Sequence, residues 1–235
     1  MIKTVNNLKK EEKTYCLLIG NSRWHWASKE KTQWEFFHTL PKSEILESPI
    51  DKWAAVGNIP NHIALKSEDE IQIKNIPLLN LPDWLGIDRA LGGWNAFQKA
   101  KQMGAHKKGV LVADAGTVLS LTCITANGEF GGGQLIPGFN LQMSLMANQT
   151  KNLKNPLNKY LPISKFPIST NDAMLRGSFQ SLIGTILEAQ KDAEMPLWLC
   201  GGDSEILCDD LIQRKVELNH YPNLVLEGLV NLKKN

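Results

Sequence analysis

From Thr14 to Ile19 the chain is continuously apolar (TYCLLI), breaks at Gly20-Asn21-Ser22, and resumes with Trp24 and Trp26 in alternation before the polar stretch SKEKTQ. That pattern predicts a strand, a tight turn and a second strand. A further apolar run, Trp53 to Val56, ends at Gly57-Asn58-Ile59-Pro60, and another, Ile76 to Leu81, leads into the turn Pro82-Asp83. Ala90 to Met103 carries helix formers with apolar residues at helical spacing, closed by Gly104.

The second half opens in the same way. Gly109 to Ala113 (GVLVA) reads as a buried strand ending at Asp114-Ala115-Gly116-Thr117, and Val118 to Ile124 as its return strand before an Asn127-Gly128 turn. Helices are predicted at about Asn140 to Ala147 and Asn171 to Asp192, the latter with Ser169 or Thr170 as N-cap, and Leu197 to Cys200 is a short strand broken by Gly201-Gly202. Aligning LLIGNS with ADAGT superposes Gly20 on Gly116 and Leu18 on Asp114, which marks an internal repeat. Two α/β halves, each opening on a strand-Gly-strand hairpin, predict a duplicated fold with a cleft between the halves.

Composition narrows the function classes. The 235 residues are 43% apolar with 7% aromatics, as expected of a soluble globular protein, and no apolar run reaches the roughly 20 residues that cross a bilayer. Met1 to Lys13, with Lys3, Lys9, Lys10 and Lys13 and no apolar stretch, does not read as a signal peptide, so a cytoplasmic site of action is expected. A net charge of +2 from dispersed Lys and Arg argues against a nucleic-acid partner. Cys16, Cys123, Cys200 and Cys208 lack CxxC spacing and are expected as buried free thiols. The five histidines show no ligand spacing and read as surface or satisfied core residues, and the seven tryptophans as packing residues.

A glycine in a tight turn between strands exposes backbone N–H groups and lets a phosphate approach closely. Gly20-Asn21-Ser22 and Gly116-Thr117 are two such turns at equivalent places, with Ser22 and Thr117 adding hydroxyl donors. Asp114 closes a buried strand just before its turn, where a carboxylate is costly unless a cation or backbone donors meet it. Asp88-Arg89 reads either as a surface pair or as a cleft pair, in which Arg89 holds an anionic substrate group and Asp88 takes a proton from an attacking hydroxyl. The segment Gly131-Gly132-Gly133-Gln134-Leu135-Ile136-Pro137-Gly138 is read as a site of close backbone packing or ligand approach between a strand and a helix, and Gly201-Gly202-Asp203 as a strand-to-helix turn under a ring or ribose.

Taken in order, Ile19-Gly20-Asn21-Ser22, Gly86-Ile87-Asp88-Arg89, Asp114-Ala115-Gly116-Thr117, Gly132 to Gly138 and Gly201-Gly202-Asp203 resemble the type III pantothenate kinases, over about Tyr15 to Leu232. The resemblance implies an α/β fold of two duplicated ribonuclease-H-like domains of the acetate and sugar kinase, heat-shock ATPase and actin superfamily, here residues 14–105 and 106–235, with ATP bound between them. It implies ATP-dependent phosphorylation of pantothenate in coenzyme A biosynthesis, a homodimer, Mg2+ and a monovalent cation such as K+ or NH4+. Carried over to this chain, Gly86, Ile87, Asp88, Arg89 and Thr170 would bind pantothenate, with Asp88 as proton acceptor. Asp114 would hold the monovalent cation, and Ile19, Gly20, Asn21, Ser22, Arg23, Thr117, Gly201 and Gly202 would contact ATP. Two positions depart from the family pattern: Leu18 stands where the first turn normally begins with Asp, and Ser22 where Thr is usual. The Leu18 departure keeps open a non-catalytic nucleotide-binding regulatory relative, and the sequence around Gly86, which does not show the shape of the pocket, keeps open a kinase of another small hydroxy acid.

Overall fold

Period-two alternation of side chains sets the first sheet. In the computed structural model, which describes residues 13–46, 49–157 and 160–233, β1 (Thr14–Ile19) turns at Gly20 into antiparallel β2 (Trp24–Glu30), and β2 pairs with β3 (Gln33–Thr39). The polar run SKEKTQ is therefore not the end of the sheet: Ser28 to Glu30 continue β2, Lys31 takes a left-handed turn conformation (φ 59°), and an unforeseen third strand follows. β4 (Ile50–Ala55) lies parallel to β1 and completes the order β3-β2-β1-β4. One face of this sheet packs Leu17, Ile19, Trp24, Trp26 and Trp53 with Leu46 and Ile50. This compact unit ends at Ile71, and a second begins at Gln72. The polar segment discussed above as Met1 to Lys13 lies, up to residue 12, outside the described residues.

In the second unit α1 (Ile87–Gln102) precedes a five-stranded sheet built from β5 (Val110–Ala115), β6 (Val118–Ile124), β7 (Phe130–Pro137), β8 (Leu197–Cys200) and β9 (Leu218–His220), in the order β7-β6-β5-β8-β9. Its first four strands repeat the connectivity of the first sheet: an antiparallel meander of three, then a fourth strand parallel to the first. The duplicated ribonuclease-H-like fold implied by the sequence is thus present in the strand order. The glycine-rich segment is corrected here. It is β7 itself rather than a connection between strand and helix, because glycines hide the alternation that announces a strand.

α2 (Phe139–Gln149), α3 (Thr170–Ala193) and α4 (Ser204–Gln213) bury Phe139, Met143, Phe179, Leu182, Ile183, Leu207 and Leu211 against Leu111, Ala113, Ala115, Leu119 and Leu121 of the sheet. Ser169, one of the two expected N-caps, is the cap of α3 and accepts the Asp172 N–H. α1 and α5 (Leu224–Asn231) pack together. Gly92 and Gly93 bring α1 close to the sheet, since a Cβ at Gly93 would stand 2.9 Å from Ile124. Asn95 Nδ2 donates to the Leu224 carbonyl at 2.8 Å, and Lys99 pairs with Glu227 at 3.0 Å. Thus α1 starts at Ile87, three residues before the apolar pattern announces it, and Asp88 and Arg89 belong to its first turn.

The α1–α5 contact is close at Gly228, where a Cβ would lie 2.8 Å from the Leu91 carbonyl. Gly228→Ala is therefore expected to destabilise the chain by about 1–2 kcal/mol, read as a lower denaturant midpoint at unchanged slope. An unchanged midpoint would show that α5 is not seated against α1 as described.

A buried carboxylate pair at the end of the sheet

Three elements of the second unit meet around Asp114: the end of β5, the start of α1 and the end of β8. Asp114 pairs with Cys200 in the parallel β5–β8 register, and its carboxylate accepts the Cys200 thiol hydrogen. Gly201 follows in a left-handed conformation (φ 93°), and a Cβ there would collide with Asp114 Oδ1 and with the Ala115 carbonyl. Only glycine fits, both for conformation and for space. Asp203 N–H donates to the Ala115 carbonyl at 2.9 Å, which ties the loop after β8 to the loop after β5.

Electrostatics follow from the crowding. Asp114 keeps some accessible surface, yet its carboxyl is ringed by protein atoms; burial first, then the nearby charge of Asp88, raise its pKa to about 7, partly offset by the Cys200 hydrogen bond. Burial also raises Asp88, opposed by the Arg89 N–H at 2.8 Å and by the Arg89 charge. The Cys200 thiol, buried and beside both carboxylates, is held well above its usual range. Asp88 and Arg89 are both half-buried rather than on the open surface. Nor do the side chains pair with each other: Arg89 Nε donates to Thr122 Oγ1 at 3.1 Å, and its guanidinium lies 5.7 Å from the Phe130 ring. Gly133 of β7 makes room for that guanidinium, since a Cβ there would strike Arg89 and the Leu121 carbonyl. The half-buried arginine is thus fixed on β6 and β7, and Asp88 lies close enough to Asp114 for its charge to raise that carboxyl.

The remaining expected residues fall into three places. Gly86, the N-cap of α1, and Ile87, its first residue, stand directly before Asp88. Thr117 is exposed in the β5–β6 turn, where its carbonyl accepts the Gly138 N–H at 3.0 Å, and Gly202 is exposed after Gly201. Thr170 is exposed at the start of α3, and Ile19, Gly20, Asn21, Ser22 and Arg23 form the first-unit turn, closed by the Gly20 N–H on the Arg23 carbonyl at 3.0 Å. Sequence reading passed over Cys200, Thr122, Phe130 and Gly57. Gly57 mirrors Gly201: it follows β4, and a Cβ there would collide with the Gly20 carbonyl. The equivalent places of Gly57 and Gly201 in the two sheets were the signal available. The four cysteines are free, three of them buried and Cys123 partly so.

As to metals, no group of three or more His, Cys, Asp or Glu comes together among the described residues. A divalent ion would therefore take most of its ligands from elsewhere than the chain. Asp114 is different, because a lone cation beside it would relieve both the burial and the repulsion that raise its pKa.

Two sheets of the same strand order, each with a glycine hairpin after its first strand, define a duplicated α/β fold, with an acid, Asp114, at the end of that strand in the second repeat. A solved protein of Campylobacter jejuni, described as a conserved Baf family transcriptional activator, has the same fold, with a TM-score of 0.61 at 21% identity over 93% of this chain and 96% of that one. A ParM mutant that does not polymerise gives 0.50 at 9% identity, covering 94% and 98%. The type III pantothenate kinase family model matches residues 42–192. The type III pantothenate kinases of Synechococcus elongatus and of Synechococcus sp. JA-3-3Ab are 28% and 30% identical to this chain, over 92% and 95% of it and 94% and 93% of their own lengths. The chain belongs to the type III pantothenate kinase family.

The raised Asp114 makes a signed prediction. The folded state keeps a proton that the unfolded chain releases above its ordinary value of 3.8, so Asp114 costs stability as pH rises from about 4 to about 7. Asp114→Asn, in buffer without K+ or NH4+, is expected to raise the unfolding free energy by about 4 kcal/mol at pH 8 and to come close to wild type near pH 4. A gain independent of pH would contradict the assignment.

Proposed function

We propose that this chain performs its family's reaction with Asp88 as the base. It transfers the terminal phosphate of ATP to the primary hydroxyl of pantothenate, giving 4'-phosphopantothenate and ADP, the first step of coenzyme A biosynthesis. The observation that carries the residue assignment is the buried carboxylate pair. Asp88 is raised by burial, and so is a better proton acceptor than a surface carboxylate, while Arg89 is turned aside and fixed. In the transfer, the hydroxyl oxygen bonds to the γ-phosphorus as its proton passes to Asp88, and the bond to the bridging oxygen breaks with its electron pair leaving on ADP. Arg89, with Gly86 and Ile87, supplies the anchor for the pantothenate carboxylate, and Thr170 adds a hydroxyl.

The turn Gly20 to Arg23, with Ile19, and the loops at Thr117 and Gly201-Gly202 are assigned to ATP. A divalent ion, here Mg2+, would ride chiefly on the triphosphate, consistent with the donor set just described, and would draw charge from the γ-phosphate. Asp114 is the group assigned to a monovalent cation, K+ or NH4+. We take the two halves of the duplication as residues 14–105 and 106–235, each of which opens on the same hairpin, although the compact unit that contains the second sheet begins at Gln72 and includes α1. No helix among the described residues is long and apolar enough to cross a membrane, and we place the chain in the cytoplasm, acting on a small molecule and not on nucleic acid.

A homodimer is also proposed. Between α2 and α3, Leu157, Ile163, Phe166 and Ile168 are more than nine-tenths exposed, a run of apolar surface that a second copy would cover.

Two outcomes are expected. Asp88→Asn should lower turnover by about 10³-fold while ATP still binds, checked by pantothenate-dependent ADP release and calorimetry; an unchanged kcat would remove the base assignment. Phe166→Glu with Ile168→Glu should shift the species seen by light scattering from dimer to monomer, and a dimer that persists would place the interface elsewhere.

A further inference from the structure

The two sheets repeat each other, yet their first hairpins carry different chemistry on the equivalent face. In the second unit Asp114 stands opposite Ser120, one pair before the final pair Ala115–Leu119. In the first unit the same place is held by Leu18 opposite His25, one pair before Ile19–Trp24. The carboxylate and hydroxyl of one repeat are a buried leucine, 6% exposed, and an imidazole in the other.

His25 is built into its position. Its Nδ1 lies 2.9 Å from Nδ1 of His38, the residue across from it on β3, with the rings at 73° and centroids 4.8 Å apart. Its Nε2 faces the glycine turn: a Cβ on Gly20 would stand 3.2 Å from it and 2.6 Å from the Arg23 carbonyl. One ring nitrogen is therefore tied across the sheet and the other is presented to the turn. When His38 Nδ1–H donates to His25 Nδ1, the His25 proton must sit on Nε2, pointing toward the turn.

The surroundings ask for an anion. The titratable groups that act on His25 are His38, across from it on β3, and Arg23 in the turn. Burial first, then His38, then Arg23, hold the His25 pKa at about 4, so the ring is neutral until negative charge arrives.

We propose that His25 is a phosphate-binding residue of the first turn, donating Nε2–H to a terminal phosphate oxygen of the nucleotide, with His38 as its positioning residue and Arg23 as the cation beside it. The turn thus grips the triphosphate directly through nitrogen donors, where a carboxylate at position 18 would have acted through a metal ion. This rests on the kinase reading of the same site.

The test uses the full-length chain with ATP as the probe. Nitrogen NMR of the imidazoles, with and without saturating ATP, is expected to show the His25 Nε2 resonance shifted and its titration midpoint moved from about 4 toward neutrality. His25→Leu should raise KM for ATP about tenfold, with KM for pantothenate within twofold; His25→Gln, which keeps an amide donor, should recover most of the loss, and His38→Leu should give a smaller defect. His25 signals indifferent to ATP, or ATP binding by His25→Leu equal to wild type, would overturn the inference. Wild-type protein without pantothenate-dependent ADP release would instead overturn the kinase reading, and the NMR titration, which needs no variant and no turnover, would still decide the role of His25.

Discussion

Two carboxylates buried within each other's field are the constraint around which the second unit is arranged. A lone carboxylate at the end of a buried strand sheds its charge or finds a cation, and a second one nearby sharpens that choice. The fold supports the pair at some cost: Gly201 must be glycine, Cys200 must point its thiol at Asp114, and Arg89, the obvious partner of Asp88, is diverted to Thr122 and Phe130. Had Arg89 closed on Asp88, its charge would have lowered that carboxylate, and a raised carboxyl would have become a structural ion pair. Gly133, which lets the guanidinium lie against β7, is in this sense part of the arrangement that keeps Arg89 off Asp88.

The duplication makes the asymmetry of the molecule readable. Both repeats run a strand into a glycine hairpin, and both set a second glycine after the fourth strand, Gly57 against Gly20 and Gly201 against Asp114. The backbone of the turn is the shared element. What differs is the side chain one pair before it, acid and hydroxyl in one repeat, leucine and imidazole in the other.

Much of this was legible in the sequence, and the omissions have physical causes. Strands with unbroken apolar runs, such as Val118–Ile124 and Leu197–Cys200, and the long amphipathic α3 were found within a residue or so of their ends. β3 escaped because Gln33, Glu35 and His38 give an exposed strand a polar cast, and β9 because three residues show no period. β7 escaped because Gly131, Gly132 and Gly133 have no side chains to alternate. The family motifs located Asp88 and Asp114, but their mutual proximity depends on α1 lying along the sheet through Gly92 and Gly93, a tertiary fact with no local signal. His25 and His38 lie 13 positions apart and meet only because β2 and β3 pair in that register.

The central claim is that burial and Asp88 together hold the Asp114 carboxyl close to neutrality. Carbon NMR of the Asp114 carboxyl, titrated in nucleotide-free protein without K+ or NH4+, tests it directly. The account predicts a midpoint at about 7 that falls when Asp88 is replaced by Asn, and a midpoint in the usual carboxylate range near 3.8, unmoved by that replacement, would contradict it.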